Sequence, residues 1–156
     1  TLREALVQRF GAEVYTDEGI NRAYLAERVF SDGEELMALN AIVHPAVMDD
    51  FDRWAEEQEG DYVVLESAIL FEAHLEGRVD TTIAVMAPES LRLERAMKRD
   101  GATREQIESR MRNQMSDKER VDRSKYAIVN IDIEELAEDV EQLHRRLSYD
   151  AKTHRR

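Results

Sequence analysis

Two carboxylates follow an apolar stretch near the middle of the chain. Residues 62–72 read YVVLESAILFE, so four apolar residues lead directly into Glu66 and Ser67. Ligands of parallel α/β sheets bind beyond the carboxyl ends of the strands, where Glu66 could hold Mg²⁺ through water. Alternatively, Glu66 caps a following helix or pairs with a Lys or Arg. For the second carboxylate, Glu72, a solvated helix position is the simpler interpretation.

Basic residues are concentrated in one part of the chain. Arg95 and Arg99 are four residues apart, as are Arg110 and Gln114, so each pair is predicted to share a helix face. The planar guanidinium group suits phosphate oxygens, which favours phosphate binding by the cluster as a whole. For any single arginine, a solvated face balanced by nearby glutamates is the alternative. The cluster comprises Arg92, Arg95, Lys98, Arg99, Arg104, Arg110 and Arg112.

His44 and Pro45 form a third candidate pair. A ligand contact is one interpretation of His44, and a structural role is the other. The sequence matches neither a Ser–His–Asp arrangement nor an H-E-x-x-H site. The phosphate-binding pattern G-x-x-x-x-G-K-[ST] does not occur among the 156 residues.

The elements that would position these residues alternate between short apolar strands and helices. Strands are predicted at 62–65, 81–87 and 126–129, and helices lie between them, which indicates an α/β fold with a parallel sheet. Pro45 predicts a bend or break near His44 in the helical region 32–59. The other helices are predicted at 21–30 after Asn21, from Pro88 to Gly101, at 103–115 and at 133–148.

Composition limits the classes of function. The net charge is 22 − 34 = −12, which argues against general nucleic-acid binding. The chain has no cysteine, which excludes disulfides and thiolate chemistry and fits a reducing compartment. No apolar run approaches the ~20 residues of a membrane span. We therefore expect a cytoplasmic protein with no nucleic-acid or membrane partner, as a monomer or weak oligomer.

Several blocks, in this order and at this spacing, resemble the dephospho-CoA kinase family. They are NAIVHPAV at 40–47, YVVLESAILFEAHLEGRVD at 62–80, APESLRLERAMKRDG from 87, SRMRNQMS at 109–116 and YAIVN at 126–130. The resemblance implies a P-loop kinase fold, with a parallel-sheet core and helical substrate-binding and lid regions. It also implies transfer of the γ-phosphate of ATP to the ribose 3′-hydroxyl of dephospho-CoA, with Mg²⁺.

The resemblance assigns roles to matching positions. It places His44, Pro45, Leu70, Phe71 and Glu72 at the dephospho-CoA site. The residues it places near ATP and its phosphates are Arg99, Arg110, Gln114 and Asn130. It implies a single domain over 1–156, in which about 17–58 bind substrate and about 90–123 form the lid.

The sequence departs from the family pattern in one respect. Members begin with a strand, a P-loop and a helix, followed by the Asp that is thought to act on the acceptor hydroxyl, and these 156 residues start after that part. We therefore expect the 156 residues alone to be inactive. The alternatives are another small P-loop kinase, and a non-catalytic binding module on the same scaffold.

Overall fold

The protein is described by a computed structural model that covers residues 1–30, 32–112 and 114–154. The chain divides into two compact units, Thr1–Gln58 and Glu59–Arg156. Within the described ranges, no helix has the length and apolar character needed to cross a bilayer.

The first unit is built from three helices and a short hairpin. Helix α1 (Leu2–Phe10) begins with a capping box in which Thr1 and Glu4 bind each other's backbone N–H. The antiparallel strands β1 (Tyr15–Thr16) and β2 (Gly19–Ile20) follow, and then α2 (Arg22–Phe30) and α3 (Gly33–Glu56). The predicted cap is confirmed, because the Asn21 side chain accepts a hydrogen bond from Tyr24 N at 3.1 Å.

One hydrophobic cluster holds these helices together. Partly buried side chains of α3, among them Leu39, Ile42 and Val43, pack against it. The hydroxyl of Tyr24 donates to the Phe10 carbonyl at 2.8 Å, which ties α2 to the end of α1. The buried members of the cluster are Leu6, Phe10, Val14 and Leu25.

Of the bend or break predicted near His44, the break is wrong, and the bend stays a prediction. Helix α3 runs without interruption from Gly33 to Glu56, with Pro45 inside it. Ile42 and Val43 pack against the core before the proline, and Met48 is 1% exposed after it. Burial on both sides offsets the loss of one helical hydrogen bond, so packing overrides the local preference.

The second unit contains a parallel pair of strands flanked by helices, which confirms the predicted α/β class. Strands β3 (Ile83–Met86) and β4 (Tyr126–Val129) pair in parallel, with Ile83 opposite Tyr126. Between them lie α4 (Glu89–Asp100), α5 (Arg104–Arg112) and α6 (Asp117–Arg123). Helix α7 (Ile133–His154) follows β4 and extends beyond the predicted end at 148.

The predicted strand at 62–65 is not a strand in the structure. A strand requires a neighbouring backbone to pair with, and among the described residues β3 pairs only with β4. Val64 is 66% exposed. Side chains at the start of this segment contact α7 instead. The Tyr62 hydroxyl and His144 Nδ1 are 2.7 Å apart, and Asp61 pairs with Lys152 at 3.0 Å.

Candidate functional site

Two of the predicted phosphate-binding arginines converge on one carboxylate. Arg99 Nε donates to Asp100 Oδ1 at 2.7 Å, and Arg110 Nη1 donates to Asp100 Oδ2 at 2.9 Å. Gly101 ends α4 in the left-handed conformation, with φ 63°, which a side chain would strain. This turn lets Arg110 on α5 reach back to the end of α4. Two neighbouring helices therefore direct guanidinium groups at a single anionic group.

The opposite charges of Arg99 and Asp100 shift each other's pKa toward the charged forms. The hydrogen bond from Arg99 holds the pKa of the Asp100 carboxyl below its usual value, and Arg110 adds to this effect. The same bond raises the pKa of Arg99. The side chains of Arg99 and Arg110 are 77% and 63% exposed. Exposed ion pairs of this kind are weak, so an incoming phosphate could replace Asp100 as their partner.

Asn130 lies directly after β4 and is held by α4. Its N–H donates to the Met86 carbonyl at 2.7 Å, which extends the strand pairing by one residue. Arg95 donates to the backbone carbonyl of Asn130 at 2.8 Å and to its side-chain oxygen at 3.0 Å. A third bond, at 3.2 Å, runs from Arg95 to the Ile131 carbonyl. One arginine thus fixes the loop at the carboxyl end of β4.

The predicted substrate residues after 62–65 occupy a series of turns. Leu70 accepts a backbone hydrogen bond from Leu75 at 2.9 Å. Glu72 is exposed, and its Oε1 accepts from the backbone N–H of Met115 at 2.6 Å. Glu66 is also exposed, and its charge is near enough to contribute to the raised pKa of Arg99.

Phe71 is turned into the protein. It is 6% exposed, and the guanidinium of Arg123 lies 4.5 Å from the centre of its ring. Phe71 also lines an open cavity of about 490 Å³. Thr82 and Lys125, which immediately precede β3 and β4, line the same cavity. The cavity therefore lies toward the amino ends of the strands, whereas Asn130 lies at their carboxyl ends.

The structure brings together some of the predicted site residues. Arg99 and Arg110 share the Asp100 carboxylate, and Glu72 contacts the segment that follows α5. Gln114 lies beyond α5, which ends at Arg112, so the predicted helix face shared with Arg110 is wrong. A turn bond from Gln114 N to the Met111 carbonyl, at 3.1 Å, follows the helix instead.

His44 and Pro45 belong to the first unit, in the middle of α3. His44 is partly buried and Pro45 is exposed. The other predicted site residues belong to the second unit. The role of His44 and Pro45 at a substrate site stays a prediction.

Comparison with known proteins identifies the family. Residues 1–135 match the family model described as dephospho-CoA kinase. The chain belongs to the dephospho-CoA kinase family. A dephospho-CoA kinase from Bacteroides fragilis strain YCH46 is 38% identical over 130 residues, which are 83% of this chain and 63% of the relative. One from Porphyromonas gingivalis strain W83 is 42% identical over 113 residues, which are 72% of this chain and 56% of the relative.

The chain thus spans less than two thirds of the length of these two curated relatives. A solved structure supports the fold: the crystal structure of TT1252 from Thermus thermophilus is similar, with a TM-score of 0.79 and 35% identity. That similarity covers 92% of this chain and 75% of the other. The family and the α/β kinase fold that the sequence blocks predicted are confirmed.

The described residues do not by themselves complete a metal site. Within these residues, no group of three or more His, Asp and Glu side chains could hold a metal ion. Glu66 could contribute one oxygen through water, which is less than the six oxygen ligands of Mg²⁺.

Sequence reasoning missed the residues that organise the predicted ones. Asp100 was not predicted, although it links Arg99 to Arg110, because no helical spacing relates residues across the Gly101 turn. The contacts of Met115 were also missed. A capping box formed by Ser116 and Glu119 follows Met115 directly and begins α6.

Proposed function

We propose that this chain acts in the ATP-dependent phosphorylation of dephospho-CoA to coenzyme A. The γ-phosphoryl group of ATP passes to the oxygen of the ribose 3′-hydroxyl, the hydroxyl proton is released, and ADP leaves. In such a reaction the protein contributes positioning and charge stabilisation rather than covalent chemistry. Family membership supports the assignment of both substrates.

The observation that carries the proposal is the convergence of Arg99 and Arg110 on Asp100. A transferring phosphoryl group spreads negative charge over its oxygens, and two guanidinium groups aimed at one point can stabilise that charge. The arginines come from α4 and α5, within the region at about 90–123 that we propose as the lid. Gln114 lies within the same region, after the end of α5, and would act beside the phosphates.

We assign dephospho-CoA to two groups of residues. Leu70, Phe71 and Glu72 form one group, at the turns that follow 62–65. His44 and Pro45 form the other, within a substrate-binding region at about 17–58. The two groups are described in separate units, and family resemblance alone supports their joint action.

The nucleotide side of the proposal centres on Asn130. Its loop lies at the carboxyl end of a parallel strand, where ligands of α/β sheets bind. The bonds from Arg95 supply the rigidity that a base-binding loop requires. Mg²⁺ is proposed to enter with ATP, and Glu66 is the candidate to reach it through water.

The proposed partners are the small molecules dephospho-CoA and ATP, in the cytoplasm. The net charge of −12 supports the absence of a nucleic-acid partner, because the phosphates of a duplex would be repelled. We also propose that the protein is a monomer or weak oligomer and that it has no membrane partner.

An ADP-release assay tests the function. The product of the full coding sequence would be given ATP, Mg²⁺ and one acceptor at a time: dephospho-CoA, shikimate or a nucleoside monophosphate. We expect ADP release that depends on dephospho-CoA. Turnover of another acceptor with none on dephospho-CoA would indicate a different small kinase, and no turnover of any acceptor would indicate a binding module.

A further inference from the structure

Both backbone polar groups of Met115 are hydrogen-bonded to side chains. Its N–H donates to Glu72 Oε1 at 2.6 Å, and its carbonyl accepts from Arg120 Nη2 at 2.8 Å. Met115 lies between the end of α5 at Arg112 and the start of α6 at Asp117. Both backbone groups of one residue outside regular structure are thus bound by charged side chains, which makes each bond stronger than a neutral one.

A chain of hydrogen bonds connects Met115 to the end of β3. Arg120 Nη1 donates to Asp117 Oδ1 at 3.1 Å, and Arg92 Nη2 donates to Asp117 Oδ2 at 2.9 Å. Arg92 Nε also donates to the carbonyl of Ala87, directly after β3, at 3.2 Å. The side chains of Arg92, Asp117 and Arg120 are all at least about two thirds buried, at 27%, 36% and 22% exposure. Such pairs are screened less than exposed ones.

Helix α5 is joined to Met115 by a turn. Gln114 N donates to the Met111 carbonyl at 3.1 Å, and Arg110 immediately precedes Met111 on the helix. Ile107, which is 3% exposed, holds the middle of α5 against the protein. The side chain of Arg110 is 63% exposed, so its position depends on the backbone at this end of the helix, which includes the turn to Met115.

We infer that Glu72 is a positioning residue that holds Met115 beside the end of α5, and thereby sets where Arg110 meets the transferring phosphate. This inference rests on the proposed function and gives Glu72 a role beyond contact with dephospho-CoA. The loop at 70–72 and the end of α5 that carries Arg110 are then linked through the hydrogen bond from Met115 N–H to Glu72.

Two variants of Glu72 distinguish the positioning of Met115 from a direct effect of the Glu72 charge on substrate or metal. Glu72→Gln keeps an oxygen that can accept from Met115 N–H but loses the negative charge. Glu72→Ala loses both. A positioning role predicts that Gln restores function where Ala does not, whereas a charge acting on substrate or metal predicts that both fail. Glu94→Ala, an exposed glutamate of α4, is the matched control.

Hydrogen exchange provides a readout that does not depend on activity. We expect peptides that contain Met115 to lose protection in Glu72→Ala, and to keep it in Glu72→Gln and Glu94→Ala. Unchanged exchange in a folded Glu72→Ala would overturn the inference, whatever acceptor the enzyme uses. This measurement therefore stands even if the proposed function fails.

Kinetics on the product of the full coding sequence test the consequence. We expect Glu72→Ala to lower kcat by about 10- to 100-fold, the size of one charged hydrogen bond, with a smaller change in the KM for dephospho-CoA. Glu72→Gln should retain most of kcat. If both variants raise KM equally and leave kcat unchanged, Glu72 binds substrate and does not position α5.

A second variant covers the case in which Glu72→Ala does not fold. Arg120→Ala releases Met115 from its carbonyl side, and we expect the same loss of protection at Met115 and the same fall in kcat. If the double variant Glu72→Ala/Arg120→Ala folds, its fall in kcat should be smaller than the product of the two single falls, because both substitutions act on Met115. Independent, multiplicative losses would overturn the inference that Glu72 and Arg120 act through Met115.

Discussion

Asp100 is the common partner of two arginines of the basic cluster. Arg99 and Arg110 would each be a solvated surface charge if they were considered alone, and their side chains are 77% and 63% exposed. Their common partner shows that both guanidinium groups can reach the same small volume. A carboxylate and a phosphate present similar oxygens to a guanidinium group, so we propose that a phosphate would bind both arginines in the place of Asp100.

Replacing Arg110 should affect catalysis and leave folding intact. In the product of the full coding sequence, we expect Arg110→Ala to lower kcat/KM by about 10- to 1000-fold, because a charged donor to a transferring phosphoryl group is typically worth a few kcal/mol. The melting temperature should change little, since the side chain is exposed. Arg112→Ala, on the same helix, is the control. If both variants have the kcat/KM of the unchanged protein, Arg110 is a solvated surface residue with no role in catalysis.

The Asp100 carboxyl should make stability depend on pH in a defined direction. Its pKa is lowered in the folded protein, chiefly by the hydrogen bond from Arg99. A lowered pKa stabilises the fold above the unfolded value of about 4, and this contribution is lost as the pH falls through the folded value. Asp100→Asn removes the titrating group and its dependence on pH.

Melting temperatures of the natural chain and Asp100→Asn, measured between pH 7 and pH 3, test this expectation. The natural chain should be the more stable at pH 7, and the difference should be constant down to about pH 4 and close below it. A difference that stays constant to pH 3 would mean that Asp100 contributes nothing through its charge.

At the scale of elements, local signals predicted helix ends well. Pro88 and Gly101 flank α4 as predicted, and β4 has the predicted bounds 126–129. Near the predicted start of the helix at 103–115, Thr103 N donates to the Gln106 side chain at 2.9 Å. These features depend on residues within a few positions of one another, which the sequence states directly.

The elements that were predicted wrongly depend on distant partners. The apolar run at 62–65 has strand composition, but composition does not supply a neighbouring backbone. Pro45 has a strong local preference, yet burial of Met48 beyond it keeps α3 intact. The contacts of Glu72 with Met115, and of Arg95 with Asn130, also join residues more than 30 positions apart. No spacing rule predicts such pairs.

The loop after β4 gives a prediction at this scale. Arg95 spans the Asn130 and Ile131 carbonyls with two nitrogens, which a single ammonium group cannot do. In the product of the full coding sequence, we expect Arg95→Lys to raise the KM for ATP about 10-fold and to leave the KM for dephospho-CoA nearly unchanged. Lys98→Ala, on the same helix, is the control. A rise in both KM values would indicate general loosening rather than an effect on the nucleotide loop.

At the scale of the whole molecule, the chain carries part of what phosphoryl transfer requires. It supplies arginines that converge on one anion position, a braced loop at the carboxyl end of β4 and the predicted acceptor-side residues. It does not contain the G-x-x-x-x-G-K-[ST] pattern, whose backbone N–H groups and lysine cradle the phosphates of ATP. The described residues also form no metal-binding group. We therefore propose that these 156 residues bind the acceptor and the nucleotide to different extents.

This difference can be measured on the 156-residue polypeptide itself. We expect it to transfer no phosphate and to bind Mg·ATP weakly, because exposed arginines alone hold the phosphates in competition with water and salt. Intact mass would first confirm the 18.1 kDa chain, and calorimetric titrations with Mg·ATP and with dephospho-CoA would follow. The product of the full coding sequence, titrated in parallel, is the control. Tight Mg·ATP binding by the 18.1 kDa chain would mean that the nucleotide site is built from residues other than Arg99, Arg110 and Asn130.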